Sequence, residues 1–156
     1  MDCAAIMTKN PLTVHEDETV GAAAEKLIAQ RHTNLPVVDA DGGYIGMFGI
    51  HDLLCLLVPR VALAGDLMPN LRFLDDDPDA LRRRFAEVKA RRLGDAADRN
   101  ATVLAPDTPE IEAIRLFCQK HTSLAVAERQ TGKVVGIVSY WDAIRAISDA
   151  PAEAVP

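Results

Sequence analysis

Aromatic side chains are scarce: one Trp, two Tyr and four Phe, 4% of 156 residues. Stacking platforms for single-stranded nucleic acid need such rings, so that function is disfavoured. Positive charge is also short. Lys and Arg number 17 against 23 Asp and Glu, a formal net charge of −6, whereas a phosphate-backbone binder is normally basic. The three cysteines, Cys3, Cys55 and Cys118, lie far apart and none forms a CxxC pair. That excludes a disulfide frame and a zinc site, and predicts reduced, buried thiols in a cytoplasmic protein. The longest greasy stretch, 45–65, is broken by His51, Asp52, Pro59 and Arg60, so no transmembrane helix is expected. The start, Met1-Asp2-Cys3-Ala4, lacks the basic and apolar parts of a signal peptide. There is no GxSxG elbow, no P-loop, no GxGxxG and no HExxH, so no enzyme is expected and no metal.

What is present is a globular composition, 49% hydrophobic and 26% charged, enough for a core without disulfides. There is also an internal repeat. Thr13-Val14 and Thr19 match Thr102-Val103 and Thr108 at an offset of 89 residues, as do Leu27 and Leu116, His32-Thr33 and His121-Thr122, Leu35 and Leu124, and Val37 and Val126. At offset 90, Gly46 meets Gly136 and Asp52 meets Asp142. One inserted residue in a turn accounts for the slip.

Each copy reads as strand, helix, strand, strand, helix. The first helix spans Val20–Gln30 behind a Thr19 cap, with Ala23, Leu27 and Ile28 inward. Its counterpart starts at Pro109 behind a Thr108 cap, with Ile111, Ile114, Leu116, Phe117 and Cys118 as apolar positions. Strands follow at 35–39 and 44–48, and at 124–128 and 134–138, with final helices at 50–57 and 140–148. The predicted fold is α/β: a pseudo-twofold pair of repeats, 1–58 and 93–149, around a helical insert at 59–92, with a frayed tail at 150–156. In the insert, Asp75-Asp76-Asp77-Pro78 starts a helix over 79–93, stopped by Gly94. Its apolar positions are Leu81, Phe85 and Val88. Arg82, Arg83, Arg84, Lys89, Arg91 and Arg92 form either a solvated face or part of a phosphate or partner surface.

The sharpest site pattern is Gly136-Ile137-Val138-Ser139-x-x-Asp142. Ser139 is placed to cap a helix whose first amides suit an anion, and Asp142 to accept from a vicinal diol; the same residues also make an ordinary helix cap. His32 and His121 read as residues at helix C-termini, and Trp141 as packing.

These pieces together resemble a pair of CBS domains, a Bateman module. The resemblance rests on Ala5-Ile6-Met7-Thr8, Asn34-Leu35-Pro36-Val37-Val38-Asp39 and Gly46 to Leu54, and in the second copy on Ser123-Leu124-Ala125-Val126 and Gly136 to Ile144. It implies a stand-alone regulatory module binding an adenine nucleotide (AMP, ADP or ATP) or another adenosyl compound. The serine lies near phosphate, the aspartate grips the ribose, and backbone groups read the purine. Site two then comprises Leu104, Thr122, Ser123, Ala125, Ser139 and Asp142. Site one comprises Asn10, His15, Thr33, Asn34, Pro36 and Asp52, with a weakened phosphate end because Gly49 stands where a hydroxyl is expected. The resemblance also implies a homodimer, through a face rich in Leu53, Leu54, Leu56 and Leu57, and an unidentified protein regulated in trans. The rival reading is a ligand-silent interaction scaffold, its sites decayed at Gly49, Ala96, Ala97 and Ala125. Neither a membrane nor nucleic acid is expected as a partner.

Overall fold

A computed structural model describes residues 1–59, 78–120 and 122–148. In chain order the elements are α1 (Cys3–Ile6), β1 (Thr8–Lys9), β2 (Val14–His15), α2 (Val20–Gln30), β3 (Asn34–Val38), β4 (Tyr44–Gly49), α3 (Ile50–Leu57), α4 (Pro78–Val88), α5 (Leu93–Ala96), β5 (Val103–Leu104), α6 (Glu110–Gln119), β6 (Leu124–Ala127), β7 (Val134–Val138) and α7 (Tyr140–Ser148). The α/β architecture expected from the repeat is realised. Most of the predicted insert before Pro78, with its Asp75-Asp76-Asp77 helix start, and His121 and the tail 150–156 lie outside the described residues.

Two sheets result, β2-β3-β4 and β1-β7-β6-β5. β3 and β4 pair antiparallel, as do β6 and β7; β2 joins β3 parallel, and β5 joins β6 parallel. β3 is buried along its whole length, which suits its unbroken Asn-Leu-Pro-Val-Val run. β2 reaches only Val37 and Val38, so Pro36 precedes that ladder and forfeits no donor to it. α2 buries Val20, Ala23, Ala24 and Leu27, one helical stripe, and the Thr19 hydroxyl caps it by accepting from the Ala22 amide at 3.1 Å.

The repeats exchange their leading segments. Short helix α1 places Cys3 and Ile6 in the core of the second repeat, with Leu116, Phe117, Leu124 and Val138. Burial pushes the Cys3 thiol up to about 11, with Asp2 and Glu110 adding to the effect. Conversely, α5 places Leu93 in the core of the first repeat, with Leu27, Leu35 and Phe48. Matched backbone bonds hold both exchanges. Cys3 N–H donates to Thr108 O and Leu93 N–H to Glu18 O, each at 2.8 Å; Ala4 N–H donates to Pro106 O and Gly94 N–H to Glu16 O, each at 2.9 Å. Beyond α1, β1 pairs with Ile137 and Gly136 of β7, and Asp98 bridges Met47 of β4. The two hairpin tips also meet: Tyr44 N–H donates to Gly132 O and Val134 N–H to Gly42 O. Both tip glycines adopt positive φ, +81° and +70°.

These pairs reset the repeat register. The offset is 90 through the lead strand and first helix, so Val14 corresponds to Leu104 rather than to Val103. Both are buried and pair with Val37 and Val126, whereas Val103 is exposed. Arg31, left-handed at φ 52°, ends α2, and the offset falls to 89 across β3 and β6. Thr108 does not cap α6; its hydroxyl accepts from the Ala105 amide, and Pro109 is the N-cap.

Four further expectations change. Ile28, Ile111 and Cys118 are exposed, not inward. Cys55 is half-buried, so only Cys3 is a buried thiol. The basic helix ends at Val88, and Gly94 sits inside α5 instead of stopping a helix. Trp141 is 63% exposed rather than packed into the core.

Candidate ligand-binding site

Gly46 and Gly136 explain how the clefts form. Each sits in a strand crossed by the other repeat's lead segment. A Cβ on Gly46 would lie 2.5 Å from the Asp98 carbonyl oxygen, and one on Gly136 would meet the Met7 side chain. Each cleft is therefore built from the end of one repeat's second strand, the start of its final helix, and the lead segment of the other repeat.

Cleft one encloses about 620 Å3, within the usual range for small-molecule sites. Thr33, Asn34, Met47, Gly49, His51 and Asp52 line it from the first repeat; Asp98, Thr102, Lys120, Thr122 and Ser123 line it from the second. Asp52 stands in the first turn of α3, where the helix N-terminus favours a carboxylate. Its Oδ2 accepts from the Gly49 amide at 2.8 Å. Burial lifts the Asp52 carboxyl above its ordinary value; the Gly49 amide pulls it back, and the Asp98 carboxylate pushes it up again. Among the described residues, no Lys or Arg forms an ion pair with it. Gly49 is extended, at φ −142°. A Cβ there would lie 2.5 Å from the Thr33 carbonyl oxygen, so close approach of the backbone, not conformation, holds that position to glycine.

Asn34, buried, ties the cleft across the pseudo-twofold axis. Its Nδ2 donates to the Thr122 hydroxyl and to the Ser123 carbonyl. Lys120 Nζ donates to the Thr102 hydroxyl at 3.1 Å.

At the equivalent place in the second repeat the carboxylate is engaged by neighbouring side chains. Ser139 and Asp142 form a reciprocal cap: the Ser139 amide and hydroxyl donate to Asp142 Oδ2 at 2.8 and 2.7 Å, and the Asp142 amide donates to Ser139 Oγ at 3.3 Å. Asp142 Oδ1 accepts from Arg145 Nη2 at 2.9 Å and from the Thr8 hydroxyl at 3.2 Å. The Asp142 side chain is 7% exposed. It borders a hollow of about 380 Å3 with Met7, Thr8 and Arg145.

The expected site sets are thus redistributed. Thr33, Asn34 and Asp52 of the first share cleft one with Thr122 and Ser123 of the second. Ser139 and Asp142 lie apart from it. Leu104 and Ala125 are buried in β5 and β6, and Pro36 in β3. Leu104 borders a separate hollow beside Tyr44 and Arg129. Asn10 is exposed at φ 49°. The His15 ring accepts from the Asp17 amide at 3.1 Å, outside the cleft. Sequence reasoning missed Asp98 and Thr102, because nothing local shows that the lead segment crosses to the other repeat, and Lys120, which caps the end of α6 and meets the cleft only through the tertiary fold. Of the insert's cations, Arg82 pairs with Asp79, Arg84 Nη1 donates to Leu57 O, and Arg92 pairs with Glu16, Asp17 and Asp95. None of these three lines cleft one.

Two exchanged β-α-β-β-α repeats with a cleft between them define a class of tandem-repeat module. The CBS-domain family model matches residues 3–58 and 93–149, and the chain belongs to that family as a tandem pair. A curated relative, the chloroplastic CBS domain-containing protein CBSX1 of Arabidopsis thaliana, is 25% identical over 131 residues, 82% of this chain. The match takes in 55% of that relative, so the chain aligns with about half its length. The solved CBS-pair protein CBSX2 from Arabidopsis thaliana superposes with a TM-score of 0.75 at 22% identity, covering 98% of each chain. CBSX2 solved in complex with AMP gives 0.70 at 22% identity, covering 95% of this chain and 96% of that one. At that identity the likeness is one of fold. Among the described residues, no helix is long and apolar enough to cross a membrane.

Proposed function

We propose that this chain is a regulatory ligand-sensing module that binds an adenine nucleotide or related adenosyl compound in cleft one and controls a partner protein in trans. The observation that carries the reading is Asp52: a partly buried carboxylate without an ion-pair partner among the described residues, lining a cleft of nucleoside size. Such a group suits a ribose diol, whose two hydroxyls donate to it. Thr33, Thr122 and Ser123 offer hydroxyl and backbone groups to the base. The AMP complex of CBSX2, a protein of the same fold, supports the ligand class. The hollow at Asp142 is a silent second position, because Thr8, Ser139 and Arg145 already satisfy that carboxylate.

The module pairs with a second copy through α6 and α7. Ile111, Tyr140, Trp141, Ile144 and Ile147 are exposed there, a cluster of apolar side chains of the kind that marks an interaction face. On the first repeat, α4 takes part of the equivalent face: Phe85 and Val88 pack on the core that Leu56 and Leu57 also border. A monomer in sedimentation at micromolar concentration overturns this pairing. Free cysteines, including exposed Cys118, suit a reducing compartment.

A thermal-shift titration tests ligand binding. A compound at 100 times its Kd adds about 2.7 kcal/mol, a shift of several degrees. AMP or another adenosyl compound shifts the wild-type chain and Asp142→Asn, but not Asp52→Asn. No shift from any compound on the folded protein leaves the ligand-silent scaffold as the reading.

A further inference from the structure

Cleft one carries an unusual charge balance for a nucleotide site. Two carboxylates, Asp52 and Asp98, line it, and Lys120 is the one Lys or Arg among its lining residues. Lys120 is engaged with Thr102. The helix N-terminus that would face a phosphate begins at Gly49, which brings no hydroxyl. The second repeat shows the contrast. At offset 90, Thr8 stands where Asp98 stands, and its hydroxyl donates to Asp142. Ser139 stands where Gly49 stands, and Arg145 where Cys55 stands. Three neutralising or donating groups around one aspartate are replaced, around the other, by a second carboxylate, a glycine and a thiol, with His51, which stands where Trp141 stands, as the one neighbour whose charge favours the Asp52 carboxylate.

We infer that Asp98 is a specificity-determining residue that turns cleft one toward an adenosyl ligand bearing positive charge, such as an adenosyl sulfonium, and against nucleotides bearing phosphate. The inference rests on cleft one being the adenosyl site. The physical basis is Coulombic. A phosphate brings one or two further negative charges beside two carboxylates, half-buried Asp52 and exposed Asp98 at the cleft wall, and a sulfonium instead offsets them. Asp98 is free to vary in charge without loss of its structural role. Its backbone, not its side chain, bridges Met47, with Asp98 N–H donating to Met47 O at 2.8 Å. Its side chain is exposed and, among the described residues, accepts a single local bond from the Asn100 amide, which an asparagine oxygen can also accept.

Calorimetric titration of the full chain with AMP, adenosine and S-adenosylmethionine tests this, using wild type and Asp98→Asn. In wild type, S-adenosylmethionine binds about tenfold or more tighter than AMP, with adenosine between them. Asp98→Asn tightens AMP about tenfold, leaves adenosine within about twofold, and narrows the ratio. AMP binding as tightly as S-adenosylmethionine in wild type, or a ratio unchanged in Asp98→Asn, overturns the inference while leaving an adenosyl site in place. Binding of none of the three compounds to folded protein overturns the adenosyl reading itself, and the inference with it.

Discussion

The two repeats place an aspartate at the same point of the same fold and treat it in opposite ways. Asp142 is buried, capped by Ser139, paired with Arg145 and hydrogen-bonded to Thr8 from the exchanged lead. Asp52 has the Gly49 amide, a nearby second carboxylate and open space beside it. One carboxylate is engaged by its neighbours on every side; the other faces the cleft with few partners. A duplicated scaffold thus gives the same aspartate two settings by changing its neighbours, not the aspartate, and the proposed division of labour between fold and ligand rests on that difference.

The sharpest test of that division is to remove each carboxylate in turn. Asp142→Ala removes the buried acceptor of the Ser139 cap and leaves exposed Thr8 and half-buried Arg145 without it, at a cost of about 2 kcal/mol. Thermal denaturation should show a fall of roughly 6 °C. Asp52→Ala breaks no ion pair, so its melting point stays within about 3 °C of wild type. Equal losses would erase the contrast.

A second comparison concerns the crossing points. Gly46→Ala drives a methyl against the Asp98 backbone oxygen, whereas Gly136→Ala meets the Met7 side chain, which can turn aside. The expected costs in denaturant unfolding are about 2 kcal/mol for the first and under about 1 kcal/mol for the second. A third test makes the repeats alike. Thr8→Asp sets a carboxylate beside Asp142, as Asp98 stands beside Asp52, and is expected to cost about 1 kcal/mol because Arg145 absorbs part of the repulsion.

These contrasts were only partly legible in the sequence. The pairing of Gly46 with Gly136 and of Asp52 with Asp142 announces the duplication, and the apolar runs at 34–38 and 124–127 announce buried strands. The exchange of leads does not announce itself. Asp98 meets Met47 across 51 residues of chain, and local spacing cannot say which copy's sheet a two-residue strand will join. For that reason the candidate residues were grouped by repeat, while the fold groups Asp52 with Thr122 and Ser123. The register error has a similar source. Thr13-Val14 and Thr102-Val103 are alike in letters, yet burial matches Val14 to Leu104, because the extra residue enters at the left-handed Arg31, before β3, and not only in the later turn. Ile28 and Ile111 misled because their helices carry apolar stripes wider than a single sheet covers.

The smallest expected effect is also the one that joins stability to function. The folded state holds the Asp52 carboxyl above its ordinary value, chiefly through burial and further through Asp98. The folded chain therefore binds that proton more tightly than the unfolded chain does. Stability contributed by this group is present at low pH. It declines as pH rises from the ordinary carboxylate value through the raised one, and the deficit persists at neutral pH. Asp52→Asn removes the ionisation while an asparagine oxygen still accepts from the Gly49 amide. The variant should match wild type at acidic pH, below the ordinary carboxylate value, and exceed it slightly, by less than about 1 kcal/mol, near pH 7. Ligand affinity should run the other way, rising with pH over the same window as the carboxylate becomes the acceptor a diol requires. Denaturant titrations across that window, set beside ligand titrations in the same buffers, measure both slopes. Parallel slopes would mean that Asp52, like Asp142, belongs to the fold alone.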